Sequence, residues 1–258
     1  MSEALHAEWT KLRTLPGTVW ILLGILALTV GLGAVVTATV RYGGPGTSTD
    51  LTRLSLTGIE LSQAMVAVFA VQAVGGEYSS GMIRVTLTAM PRRWTVLGAK
   101  AIVTGGLTLA VGAAGVAGAL LAGRILLLAN GFTAAHGFSA LTPADGPTLR
   151  AAIGSALYLA LVALLSLGIA AALREPAVAI GAVLGLLYLF PLVVGMVQNQ
   201  SWHRHLEQIG PMTAGLEIQA TVNTGGLPIS PWAGLGVLAL WAVGSLGCGG
   251  LALVLRDA

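Results

Sequence analysis

Charge is scarce in this chain. Only 9% of its 258 residues are Asp, Glu, Lys or Arg, against roughly 25% in average soluble proteins. Too few polar side chains are present to coat a globule of this size, which excludes a soluble enzyme and a disordered regulator. A nucleic-acid binder is excluded too. The sequence pI is 9.4, but the formal net charge is only +3, from 13 basic and 10 acidic residues. The basic pI therefore reflects scarcity of charge and not a cationic patch. Cysteine is almost absent, and the single Cys248 permits no intramolecular disulfide. Also missing is the phosphate loop Gly-x-x-x-x-Gly-Lys-Ser/Thr. Gly98-Ala99-Lys100 has neither its spacing nor the following hydroxyl. The chain is thus expected to hold no ATP, no cofactor and no catalytic residues of its own.

What is abundant is apolar surface. The chain is 55% hydrophobic with a mean hydropathy of +0.86. A helix crossing ~30 Å of hydrocarbon needs about 20 mostly apolar residues, and six segments meet that demand. They are 18–40, 58–76, 97–122, 151–173, 177–197 and 232–255. The fourth and fifth are separated only by Arg174-Glu175-Pro176. As one helix they would extend to about 70 Å at ~1.5 Å per residue, more than twice the bilayer. A tight turn with Pro at a helix start is the better reading. The expected fold is all-α and polytopic, with residues 1–17 as an N-terminal amphipathic segment and 18–258 as a six-helix membrane domain. No cleavable signal peptide is expected, because the N-terminus is polar and the first apolar run is a full span long.

An even number of spans puts both termini on one side, and basic residues mark the cytoplasmic side. With the N-terminus inside, Lys11, Arg13, Arg84, Arg92, Arg93, Lys100, Arg174 and Arg256 fall inside. Arg41, Arg53, Arg124, Arg150 and Arg204 fall outside. Trp9, Trp20 and Trp94 then mark the inner interface, and Trp202 and Trp232 the outer one. A cell inner or plasma membrane with cytoplasmic termini is the expected location.

The N-terminal stretch repeats Leu5, Trp9 and Leu12 at helical spacing, with Glu8, Lys11 and Arg13 turned elsewhere. It reads as a short helix lying in the headgroup region, apolar face down, ended by Pro16-Gly17. Residues 41–57 read as irregular chain and 123–148 as a loop punctuated by turns. In 198–231, Trp202–Gln208 and Met212–Val222 form short helices around Gly210-Pro211. Glycines recur inside spans: Gly112, Gly115 and Gly118; Gly181 and Gly185; Gly244, Gly247 and Gly250. Such residues let helix backbones approach closely in lipid. Gln63 and Gln72, the deepest polar side chains of the second span, lie on opposite faces of a regular helix. They are candidates for a substrate path or for interhelical hydrogen bonds.

The connection between spans two and three carries the strongest motif. Within it Met82, Ile83, Thr86, Leu87 and Met90 share one helical face, while Arg84 and Thr88 pair on another. Ser79 or Ser80 can cap such a helix and Pro91 stops it. An amphipathic helix of this kind is built to dock in a groove of a soluble partner or to rest on lipid through Arg92, Arg93 and Trp94. The run Gly76-Glu77-Tyr78-Ser79-Ser80-Gly81-Met82-Ile83-Arg84, with Thr86-Leu87, Pro91-Arg92-Arg93 and Lys100, resembles the signature of ABC-2 type permeases. These are membrane subunits of ATP-binding-cassette exporters. Glu8-Trp9-Thr10-Lys11-Leu12-Arg13-Thr14 likewise resembles the connector helix that opens many bacterial members.

The resemblance implies that residues 77–91 form a cytoplasmic coupling helix contacting a separate ATPase subunit. Its expected contact residues are Glu77, Gly81, Met82, Ile83, Arg84, Leu87, Pro91, Arg92 and Arg93. It further implies two permease chains, identical or related, with two ATPase copies that bind ATP and Mg. The segment between spans five and six would match re-entrant outer helices. Met82 departs from the small or hydroxylated residue frequent in the family. The uncharged path suits an amphipathic lipid, drug, peptide or natural product.

Three readings from other classes compete with an exporter subunit. An ion-coupled carrier normally places ionisable residues at membrane depth, whereas Glu60, Glu77, Lys100 and Arg124 lie near span ends. A membrane-embedded interaction or resistance protein would share the same composition. A hydrolase built on Ser79 or Ser80 would need a histidine base, but His136, His203 and His205 fall on the other side of the membrane. His203, His205 and Glu207 reach a minimal metal-ligand spacing, yet one helix does not aim all three together. They read as a solvated loop, and no metal is expected.

Overall fold

A computed structural model describes residues 2–43, 49–79, 93–133, 136, 138 and 145–255, and the regular elements among them are all helical. Helix α1 spans Ser2–Thr14 and α2 Pro16–Thr39; a short α3 covers Leu51–Ser55 and α4 Gly58–Ser79. Then come α5 (Arg93–Ala129), α6 (Gly146–Leu173) and α7 (Pro176–Gly195). Two short helices, α8 (Gln200–Ile209) and α9 (Pro211–Leu216), precede α10 (Pro231–Leu255). Helices α2, α4, α5, α6, α7 and α10 are each long and apolar enough to cross a membrane.

Packing follows from which helices are apolar all round. Helix α6 is rich in Ala, Leu and Gly on every face, the pattern of a helix buried by others. It contacts α4, α5, α7 and α10, and together with α4 it forms the centre. Tyr158, Leu159, Leu165 and Leu167 of α6 are fully buried against Ile59, Val66 and Val71 of α4 and Leu238 of α10. Helices α2 and α7 sit at the rim and leave most of their surface open: Trp20, Leu23 and Val35 on one, Val178, Leu192 and Met196 on the other.

Local chemistry explains the boundaries. Leu15 separates α1 from α2, which opens on Pro16, where the missing N–H costs nothing. Between α6 and α7, Arg174 takes a left-handed conformation at φ 63°. The Glu175 side chain then accepts from Ala177 N–H, and Pro176 starts the next helix. The tight turn expected there is present. Within α7, residues Gly185–Leu189 widen into a π-turn in which Phe190 N–H donates to Gly185 O. Pro191 accounts for it, because a proline ring clashes with the carbonyl four residues back and one extra residue per turn relieves that clash.

Several expected boundaries change, among them the start of the fourth span, which lies at Gly146 and not at 151. The third span continues past residue 122 to Ala129, because Gly123 is only weakly helix-breaking and Leu127 packs with Leu51 and Phe132. The stretch 41–57 is not wholly irregular: Asp50 accepts from Arg53 N–H and caps α3. The second outer helix stops at Leu216, followed by a 3-10 turn Glu217–Gln219.

The ends of the bundle sort the charged residues as expected for an even number of crossings. At one end Arg93 donates to Leu253 O, and Arg174 Nη2 donates to Ala252 O at 2.7 Å. Both satisfy carbonyls that the C-terminus of α10 leaves open. At the other end Asn130 Nδ2 donates to Thr37 O at 2.9 Å, and Arg150 donates to Ala220 O.

Close backbone approach occurs where α10 crosses α9: a Cβ on Gly234 would run into the Ala214 carbonyl oxygen, whereas one on Gly236 would meet nothing. Gly234→Ala is expected to cost about 1–3 kcal/mol by forcing the helices apart. Gly236→Ala should be neutral or slightly stabilising. Detergent-micelle unfolding midpoints of the two variants check this.

Candidate functional site

The most unusual chemistry lies where α1 meets α4 and α5. Lys100 is 2% exposed, and its ammonium donates to Glu8 Oε1 and Glu77 Oε1, each at 2.7 Å, and to Ala73 O at 3.3 Å. Lys11 donates to the same Glu77 oxygen. Two cations and two anions therefore form one compact, largely buried network. An isolated charge in such a site is prohibitively costly, and only pairing with complete hydrogen bonding makes it tolerable.

This network changes the reading of α1. Its covered stripe is Ala4, Glu8 and Leu12, so Glu8 points into the protein and not away from the apolar face. Leu12 packs with Phe69 and Val103, while Trp9 remains 47% exposed. The stripe rotates because Lys100 attracts Glu8. The helix is thus held by protein contacts as well as by any contact with lipid.

Among the expected partner-contact residues, Glu77 lies in this network, near the end of α4. Arg93 begins α5 and reaches the C-terminal carbonyls of α10. Both flank the connection 80–92. Gly81, Met82, Ile83, Arg84, Leu87, Pro91 and Arg92 lie outside the described residues, as do Thr86, Thr88 and Met90.

Gln63 and Gln72 separate as the helical spacing requires. Gln63 is fully buried; its Oε1 accepts from Tyr158 Oη, and its Nε2 donates to Glu60 O at 3.0 Å and contacts Met212 Sδ at 3.3 Å. This residue ties α4 to α6 and α9. Gln72 is exposed on the other side.

The opposite end carries a second polar centre. Asp50 accepts from Thr221 N–H, from Thr221 Oγ1 at 2.7 Å and from Val222 N–H at 3.1 Å. It therefore straps the start of α3 to the chain before α10. Arg53 Nη1 stands 3.7 Å from Glu217 Oε2, and His203 Nε2 stands 3.2 Å from Glu207. Arg53, Glu207 and Glu217 border a small cleft with Pro191 and Thr213. Burial pushes the Glu217 carboxyl above its ordinary value; Arg53 opposes the shift and Glu207 adds to it. Among the described residues no three His, Cys, Asp or Glu side chains converge as metal ligands. Ser79 ends α4 at the α1 end of the bundle, while His203 and His205 sit on α8 at the far end.

The Lys100 network escaped the sequence reading, which placed Glu77 and Lys100 near span ends and Glu8 on a polar face. One signal was available. Lys100 is one of only two lysines and sits inside an apolar run, and ionisable residues in such runs seek partners.

These features define the class: a polytopic, all-helical membrane protein with its charges gathered at the two ends of the bundle. Comparison with known proteins finds no matching family model and no matching curated protein.

Two outcomes are expected. Lys100→Met leaves two buried carboxylates facing one lysine and should destabilise the fold by about 3–5 kcal/mol. It should also release α1, read as faster tryptic cleavage at Arg13 in detergent. For Glu217, a carboxyl pKa raised by folding favours the folded state while protonated, and that contribution fades as pH rises through the raised value. Wild type should therefore lose stability relative to Glu217→Gln as pH is taken from about 4 to neutrality, measured by thermal midpoints.

Proposed function

We propose that this chain is the permease subunit of an ATP-binding-cassette exporter of the ABC-2 type, pairing with a second permease chain and two ATPase subunits. It would lie in a cell inner or plasma membrane with both termini cytoplasmic, and would move an amphipathic lipid, drug, peptide or natural product outward. The chain itself is not the enzyme: ATP and Mg belong to the partner.

The observation that carries this reading is the Lys100 network. It joins α1 to the C-terminal end of α4 and the N-terminal part of α5, the two helices between which residues 80–92 run. Three elements linked in this way move together when force is applied to that connection. An exporter driven by a separate motor requires this, and the α1 and 77–91 sequences resemble the connector and coupling helices of such subunits. The open faces of α2 and α7 leave room for a second permease chain; on α7 a Cβ added at Gly181 or Gly185 would meet nothing within 4 Å.

The competing reading is an ion-coupled carrier, since a buried Lys–Glu constellation is also what proton relays employ. Reconstitution distinguishes the two. The chain is reconstituted with an ABC ATPase that co-purifies with it, and ATP-dependent export of a fluorescent amphiphile is measured in proteoliposomes. Arg84→Glu should preserve assembly and basal ATP hydrolysis while lowering export at least about tenfold, equivalent to ~1.4 kcal/mol of lost coupling. Transport driven by a proton gradient with no ATPase present would sink the exporter reading.

A further inference from the structure

Between α5 and α6 an apolar groove of about 570 Å³ opens sideways on the bundle. Small side chains form it: Ala113 and Ala117 on α5 and Ala152 and Ala156 on α6, between taller walls that include Leu121 and Ile153. From Leu109 to Arg124 it follows α5 for about 22 Å at ~1.5 Å per residue. One leaflet's hydrocarbon is only ~15 Å deep, so the groove accommodates a chain running the full depth of a leaflet.

Its outer mouth is not apolar. Arg124 and Thr148 stand there. Arg124 is exposed, and among the described residues nothing forms an ion pair or hydrogen bond with its side chain. Along α5 the rise from Lys100 to Arg124 is about 36 Å, slightly more than the ~30 Å hydrocarbon thickness. With Lys100 at one membrane surface, the Arg124 guanidinium lies at the phosphate level of the opposite leaflet. Among the described lining residues Arg124 is the one charged side chain and no carboxylate is present. By contrast, the larger groove between α6 and α10, about 720 Å³, has no charged side chain along it and offers no anchor for a headgroup.

We propose that the α5–α6 groove binds one acyl chain of an anionic glycerophospholipid from the leaflet farther from α1, with the headgroup phosphate held by Arg124. The guanidinium presents donors matched to phosphate oxygens, and the alanine floor admits the chain without displacing protein. The assignment is independent of the transport reading, since a carrier or an interaction protein would present the same groove to the bilayer.

The test uses the purified full-length chain in micelles containing equal amounts of phosphatidylglycerol and phosphatidylcholine, with bound lipid read by native mass spectrometry. Wild type is expected to retain one phosphatidylglycerol in preference to phosphatidylcholine. Arg124→Gln should reduce that preference about fivefold, the effect of one basic side chain near an anionic surface, and Arg124→Lys should keep most of it. Ala117→Phe fills the groove from an exposed position and should lower retention of both lipids with an unchanged thermal midpoint. Equal retention of the two lipids by wild type overturns the proposal, as does a preference unaffected by Arg124→Gln. So does efficient disulfide crosslinking of Ala113→Cys between two chains in native membranes, which would mean that a second copy covers the groove.

Discussion

A buried ammonium cannot stand alone in a low-dielectric surrounding, and in this protein much of the arrangement at one end follows from that constraint. Lys100 must be neutralised, and the groups that neutralise it come from α1 and α4. The requirement sets the rotation of α1 about its own axis, since Glu8 has to face inward. It also sets the level of α1 along the bundle, because Lys11 must reach the same Glu77 oxygen. Apolar contacts from Ala4 and Leu12 then fill in around the charges. Hydrophobic burial by itself is tolerant of small slides and rotations; a hydrogen-bonded charge network has one good geometry.

The same logic operates at the helix ends. A membrane helix satisfies its own backbone except in the first and last turn, and those turns are where distant side chains intervene. Arg93 and Arg174 cover the last carbonyls of α10, and Asp50 gathers the amides before α10 begins. The C-terminal end of α10 and the segment at Thr221 and Val222 that leads toward it are thereby tied to other parts of the chain by charged groups. The middle of the bundle is held differently, by α6 packing against α4, α5, α7 and α10 and by a few hydrogen bonds such as Tyr158 Oη to Gln63 Oε1 and Tyr188 Oη to Glu60 O.

The rim helices α2 and α7 bury little of their apolar surface within one chain. Lipid or another protein completes them. The widened turn in α7 lies beside Pro191, and it is anchored on its inner side: Leu187 is fully buried in the core and Tyr188 Oη donates to Glu60 O of α4. The lipid groove proposed between α5 and α6 is on a separate seam from the open faces of α2 and α7.

The number, type and approximate limits of the six long helices were legible from composition alone, because an apolar run of some 20 residues has few alternatives in a bilayer. The turn at Arg174-Glu175-Pro176 was legible for the same kind of reason: helix length and proline chemistry act locally. So was the opposite facing of Gln63 and Gln72. The partners of these residues were not. Glu8 and Lys100 are 92 positions apart in the chain, Asp50 and Thr221 are 171 apart, and no periodicity within a helix encodes such a meeting. Amphipathic spacing assigned Glu8 to the polar side of α1 because it weighs a carboxylate only against water. Tertiary structure reversed that assignment by supplying an ammonium, since which face of a helix is buried depends on what stands opposite it.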